Sequence, residues 1–229
     1  MRRKIKLQGF PMKRVKKSML IKVLVALCGL LPFLYPVNSP QSSGIQTEAL
    51  TIVALGDSIT WGYPNGESWT EMVMNDTGIR IINRGVSGSQ LDDMLRRMKT
   101  DVIPVKPQIC IIMGGTNDAN RGRTTQQMMA DIQTMANELM ARDIMPVIGL
   151  PIPMVEQRQE EKLQDLRERI ISSALLTIDF SLDFDLPRAE FRKLIPDGLH
   201  PTHEGKKMMA ERLKKEMPRL LAAYSKFRK

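Results

Sequence analysis

The sequence predicts a single three-layer α/β/α domain built on a parallel central sheet. Three observations carry that expectation. Short runs rich in Ile and Val alternate with segments of helical period, which calls for parallel strands joined by right-handed helical crossovers. No internal repeat or low-complexity domain interrupts the alternation. The length of 229 residues, 42% of them apolar, suits one α/β core plus a short extension.

The elements follow in chain order. "LTIVAL" (50–55) is the first buried strand, and Trp69 falls on the core face of the helix after it. "IRIIN" (79–83) is the second strand. Ser89 with Asp92 offers a capping box that opens the helix "SQLDDMLRRMKTDVI". "QICIIM" (108–113) is the third strand, and Thr124 with Gln127 opens a helix in which Met129, Ile132, Met135, Ala136, Leu139 and Met140 recur at helical spacing. "IMPVIGL" (144–150) is the fourth strand, and Leu163, Leu166 and Ile170 mark the helix behind it. "LLTIDF" (175–180) is a weaker fifth. The last helix starts after Thr202 with Met209 and Leu213 on one face, and Pro218 is expected to kink or end it. The seventeen methionines mostly fall on such faces and read as core filling.

The net charge of +9 suggests a polyanion partner, but its location argues otherwise. Residues 1–44 hold nine of the 34 Lys and Arg residues and no Asp or Glu, so 25 basic residues face 25 acidic ones in the rest. A neutral body lacks the broad positive field that nucleic acid requires. The basic segment precedes "VLVALCGLLPFLYPV" (23–37), an apolar run of 15 residues. A membrane span wants about 20, whereas a signal-peptide core needs roughly 7–15. Residues 1–37 therefore read as a basic leader and apolar signal peptide, or as an N-terminal membrane anchor if uncleaved. Residues 38–49 form a polar linker and 50–222 the folded domain. The protein is expected outside the cell or on the outer face of its membrane. Leu27 before Cys28 is too bulky for a lipid-attachment site, and Met12 would start a more typical leader than Met1.

Cys110, inside "ICIIM", reads as a small buried hydrophobe. With His200 and His203 as the only histidines, no metal constellation is visible, and none is expected.

The loops after the strands carry the chemistry. The first ends in Gly56-Asp57-Ser58. The second is "NRGVSG", with Gly85 at the turn and Gly88 after it. The third is "GGTND", presenting Asn117. The loop before the last helix is "PDGLHPTHEG". A doubly wound sheet brings such loops together at the carboxyl ends of its strands. They would supply a serine, a glycine amide, an asparagine amide and an Asp/His pair, the set that acyl transfer needs. Each residue alone could be a turn residue, and only their joint occurrence favours a site.

"GDSIT", "NRGVSG", "GGTND" and "DGLHP" resemble, in order, the four sequence blocks of the SGNH or GDSL hydrolases. The resemblance covers residues 50–220. It implies a flavodoxin-like sandwich and the hydrolysis of esters, among them lysophospholipids, thioesters, aryl esters and acetylated carbohydrates, with no cofactor. It also implies Ser58 as nucleophile, Asp197 and His200 as the rest of the triad, and Gly85 and Asn117 as oxyanion donors beside the Ser58 amide. The chemistry fits. An unperturbed imidazole titrates near ~6.5 and suits a base for serine, and Gly198 and Pro201 shape a tight turn around His200. Asn117 offers two uncharged N–H donors. The α/β-hydrolase elbow G-x-S-x-G is absent, since Ile59 and Thr60 follow Ser58.

Asp57 and Asp118 read as structural, and Arg121 and Arg123 as solvated. His203 is expected at the first turn of the last helix, pointing to solvent or along the helix end. Trp61 stands open between substrate contact and none. Residues 151–161 could form part of the mouth, and their lack of a long apolar lid leans towards small acyl groups. Two rival readings are a catalytically inactive carbohydrate-binding protein of this fold and a metal-dependent phosphoesterase using Asp57, Asn117, Asp197 and His200.

Overall fold

Five parallel strands in the order β2-β1-β3-β4-β5 form the centre of the computed structural model, which describes residues 50–229. The leader, the linker, Met12 and Cys28 lie outside the described residues. The strands are β1 (Thr51–Gly56), β2 (Arg80–Gly85), β3 (Ile109–Met113), β4 (Met145–Leu150) and β5 (Thr177–Asp179). All five expected strands are present, each within a few residues of its expected bounds. The strand order is the flavodoxin-like one, whose reversal point lies between β1 and β3.

The helices are α1 (Ser58–Trp61), α2 (Trp69–Thr77), α3 (Leu91–Asp101), α4 (Thr116–Asn120), α5 (Thr125–Met140), α6 (Gln157–Ile171), α7 (Arg188–Leu194) and α8 (His203–Phe227). Alternation along the strands sorts the core into two layers, because successive side chains leave opposite faces. Ile52, Ala54, Ile111 and Val147 pack with Trp69 and Val73 of α2 and Leu213 and Leu220 of α8. Val53, Leu55, Ile112 and Ile148 pack with Leu91 and Met94 of α3, Ile132 and Met135 of α5, and Leu163 and Leu166 of α6. Each of the Val, Leu, Ile and Met side chains so removed from water contributes about 1.5–3 kcal/mol. Cys110 belongs to the second layer, fully buried, and burial pushes its thiol well above the ordinary range.

Three local expectations change. The α3 cap falls one residue later: Gln90 is the N-cap, and its N–H donates to Asp93 Oδ2 at 2.9 Å. Ser89 stays outside the helix because its N–H donates to Val86 O and its carbonyl accepts from Asn117. On α5 the Thr124–Gln127 capping box forms as expected, but Met140 is exposed and Met128 is buried in the core. Pro218 does not end α8, which runs on to Phe227, past the expected boundary at 222.

Candidate active site

Ser58 is the first residue of α1, directly beyond β1. Asp57 is the N-cap, and its Oδ1 accepts from the Ile59 N–H at 2.9 Å. Both residues are buried. Burial, helped by the nearby Asp118 charge and opposed by the Ile59 hydrogen bond, raises the Asp57 carboxyl to about 7. Asp57 is thus the structural support that was expected. As the first residue of its helix Ser58 has no intrahelical acceptor for its own N–H, and that donor has no acceptor among the described residues.

The last loop reaches the serine. His200 Nε2 lies 2.9 Å from Ser58 Oγ, and His200 Nδ1 lies 2.7 Å from Asp197 Oδ2. Asp197 Oδ1 accepts from the N–H groups of Leu199 (2.9 Å) and His200 (2.7 Å). Gly198 makes this turn possible, because its φ of 83° is one that side-chain-bearing residues rarely adopt. Partial desolvation pushes the Asp197 carboxyl up, but the hydrogen bonds from the His200 backbone, the His200 ring and Leu199 outweigh it. The net effect lowers it below the ordinary carboxylate value. An ionised Asp197 holds a proton on Nδ1 and leaves Nε2 to accept one. Both ring nitrogens are thereby engaged, Nδ1 by Asp197 and Nε2 by Ser58.

Asn117 lies on α4, beyond β3, and its Nδ2 donates to Ser89 O at 3.0 Å. Its second amide hydrogen has no acceptor among the described residues. The structure corrects Gly85. Its N–H donates to Asn83 Oδ1 at 2.8 Å, so it is already taken. A Cβ there would come within 2.6 Å of Trp61 Cα and 2.8 Å of Asp57 O, so glycine is required for the close approach of β2 to α1. Three residues on, the Gly88 N–H has no hydrogen-bond acceptor among the described residues.

Several supporting residues were not anticipated. Asn83 Nδ2 donates to Thr60 O and Thr70 Oγ1, joining β2 to α1 and α2. Arg123, expected to be solvated, is largely buried and bonds Asp118 at 2.7 Å and Asp131 at 2.6 Å. Asp118 also accepts from the Leu91 N–H. Arg121 is exposed, as expected, with Nη1 on Gly88 O and Gln90 Oε1. Lys206 of α8 is only 2% exposed and donates to Gly62 O. Tyr63 stacks on His200 with ring centroids 4.2 Å apart. Trp69 is core, against Phe180, whereas Trp61 is exposed. His203 opens α8 after the Thr202 N-cap, mostly exposed, and pairs with Glu67 at 3.0 Å. From the loop after β4, the Val155 N–H donates to Gly198 O, so that loop does border the histidine turn.

A family model described as the GDSL-like Lipase/Acylhydrolase family matches residues 54–208. The chain is 30% identical over 120 residues to YqeF, an uncharacterized lipoprotein of Bacillus subtilis. That match takes in 46% of this chain and about half, 49%, of the relative. It is 24% identical over 177 residues to an arylesterase of Vibrio mimicus, covering 72% of this chain and 87% of the other. Among solved structures, a protein of the G-D-S-L family from Desulfitobacterium hafniense superposes with a TM-score of 0.65 at 27% identity. It covers 72% of this chain and 98% of that one.

Proposed function

The chain belongs to the GDSL-like lipase/acylhydrolase family, and on that premise we propose that it is a serine hydrolase of carboxylic esters with small acyl groups. Ser58 is the nucleophile and His200 the general base, with Asp197 orienting the base. The observation that carries this reading is the continuous hydrogen-bonded line Asp197–His200–Ser58, at 2.7 and 2.9 Å.

His200 Nε2 takes the Ser58 proton as Oγ attacks the ester carbonyl carbon. The carbonyl oxygen becomes an oxyanion in the tetrahedral intermediate. The donors best suited to it are the Ser58 N–H, the second Asn117 amide hydrogen, and the Gly88 N–H in place of Gly85. The imidazolium then protonates the departing alcohol, leaving an acyl-serine. Water, deprotonated by the same nitrogen, releases the acid and restores Ser58. Asp197 stabilises the transient imidazolium without accepting its proton.

Two features bear on substrate. Residues 151–156 after β4 form a short loop without an apolar lid, which favours small acyl groups. Trp61, 40% exposed at the end of α1, favours an alcohol with a flat or ring-shaped face, such as an aryl group or a sugar. The basic and apolar leader supports export or tethering at the outer membrane face, in line with a relative that is a lipoprotein. The test is turnover of p-nitrophenyl acetate and acetylated sugars in the presence of EDTA, lost on treatment with a serine-reactive phosphonate.

A further inference from the structure

Lys206 is a lysine that the fold has almost entirely removed from water, at 2% exposure. Burying an ammonium is unfavourable unless its donors are engaged. No carboxylate lies within ion-pair distance of it among the described residues. Its Nζ instead donates to Gly62 O at 3.1 Å and reaches Asn65 Oδ1 at 3.5 Å. Both acceptors belong to the loop that follows α1. The same loop is fastened to α8 a second time, where Glu67 meets His203. Between these two fastenings stands Tyr63. Its N–H donates to Ser58 O at 3.0 Å, and its ring lies over His200 at 4.2 Å with a 33° tilt.

We propose that Tyr63 is a positioning residue for the His200 imidazole and that Lys206 is the clamp that keeps Tyr63 there. The inference rests on the serine-esterase reading. His200 must keep Nε2 aimed at Ser58 before reaction, and it carries a positive charge while the tetrahedral intermediate forms. An aromatic face against the ring restricts its rotation, and the electron-rich π surface attracts the positive charge that the ring carries during the reaction. Asp197 fixes one edge of the imidazole through Nδ1. Tyr63 fixes its face. The Lys206 side chain bonds neither the histidine nor the serine, and its hydrogen bonds go to the 62–65 loop.

The test measures kcat and KM for p-nitrophenyl acetate, and the rate of phosphonate labelling, in the full chain and in Tyr63→Ala, Tyr63→Phe, Lys206→Met and the Tyr63→Ala/Lys206→Met double variant. Tyr63→Ala should lower kcat about tenfold with KM within a factor of about two, because the lost interaction strengthens in the transition state. Tyr63→Phe keeps the ring and should restore most of the rate. Lys206→Met should show a similar kcat loss, and the double variant should be no slower than Tyr63→Ala, since residues acting through one another are not additive. Losses that multiply in the double variant, or a Tyr63→Ala enzyme with unchanged kcat, would overturn the proposal. If Lys206→Met does not fold, Lys206→Gln, which keeps a donor, takes its place, and the Tyr63 pair alone still decides. A wild-type chain inert to both ester and phosphonate would overturn the esterase reading itself, a result distinct from normal wild-type activity with indifferent Tyr63 variants.

Discussion

Ser58 Oγ and His200 Nε2 stand 2.9 Å apart although 142 positions separate them in the chain. The contact exists because β1, an inner strand beside the reversal point of the sheet, delivers Ser58 at its carboxyl end, where the turn before α8 returns. The same turn holds a second histidine three residues away, and the two differ in everything that matters for catalysis.

His200→Ala should abolish ester hydrolysis, and His203→Ala should retain most of it. His203 is 62% exposed and its ring meets Glu67 on the surface, so its removal costs little more than one exposed side-chain contact. Steady-state kcat/KM for the two variants checks this. An active His200→Ala beside a dead His203→Ala would mean the base is misassigned.

Asn117→Ala should lower kcat by about 10²–10³, the effect of losing one oxyanion donor. The interaction strengthens as charge develops, so KM should move little. Circular dichroism must accompany the kinetics, since Asn117 also holds Ser89 O. A raised KM with unchanged kcat would make Asn117 a substrate-binding residue instead.

Gly85→Ala should destabilise the fold, by about 1–3 kcal/mol from overpacking. The new methyl group meets backbone atoms of Trp61 and Asp57, which cannot swing aside as a side-chain tip would. Thermal melts decide this. A Gly85→Ala protein with wild-type Tm and reduced kcat would instead point to a direct catalytic role for that amide.

Asp57 gives stability a pH dependence with a definite sign. Its folded carboxyl is raised from 3.8 to about 7 by burial, so the folded state holds the proton more tightly than the unfolded chain. The stabilisation is complete below the ordinary value near 3.8 and is lost as pH rises through about 7. Asp57→Asn keeps an acceptor for the Ile59 N–H but cannot ionise. Its Tm relative to wild type should therefore improve from pH 4 to about pH 7 and level off above it. A difference that stays flat, or runs the other way, would contradict a buried carboxyl that resists ionisation.

The three inner strands β1, β3 and β4 were legible in the sequence because each is a short apolar run closed by Gly or Pro, the mark of parallel strands buried on both faces. The half-exposed edge strand β5 gave a weaker one. The short helices were not. α1 and α4 have four and five residues, too few for a period to register. The four loops were legible as a group, but not which glycine amide of "NRGVSG" stays free. That depends on Asn83 folding its side chain back onto Gly85, a contact that the residue types do not announce. Arg123 misled for a related reason: its carboxylate partners Asp92 and Asp131 lie on α3 and α5, and only the tertiary fold gathers them. Lys206 sits among charged residues in "HEGKKMMAERLKK" and looks solvated until the Gly62 loop covers it.

The central claim is that Ser58 forms the covalent intermediate. The most direct measurement treats the full chain and its Ser58→Ala variant with a serine-reactive phosphonate and maps the adduct by mass spectrometry, while following p-nitrophenyl acetate turnover in parallel. The account predicts one adduct, on Ser58, with activity falling in step with its formation. It also predicts a folded Ser58→Ala protein that neither labels nor turns over substrate. Labelling at another serine, or undiminished hydrolysis by folded Ser58→Ala, would contradict it.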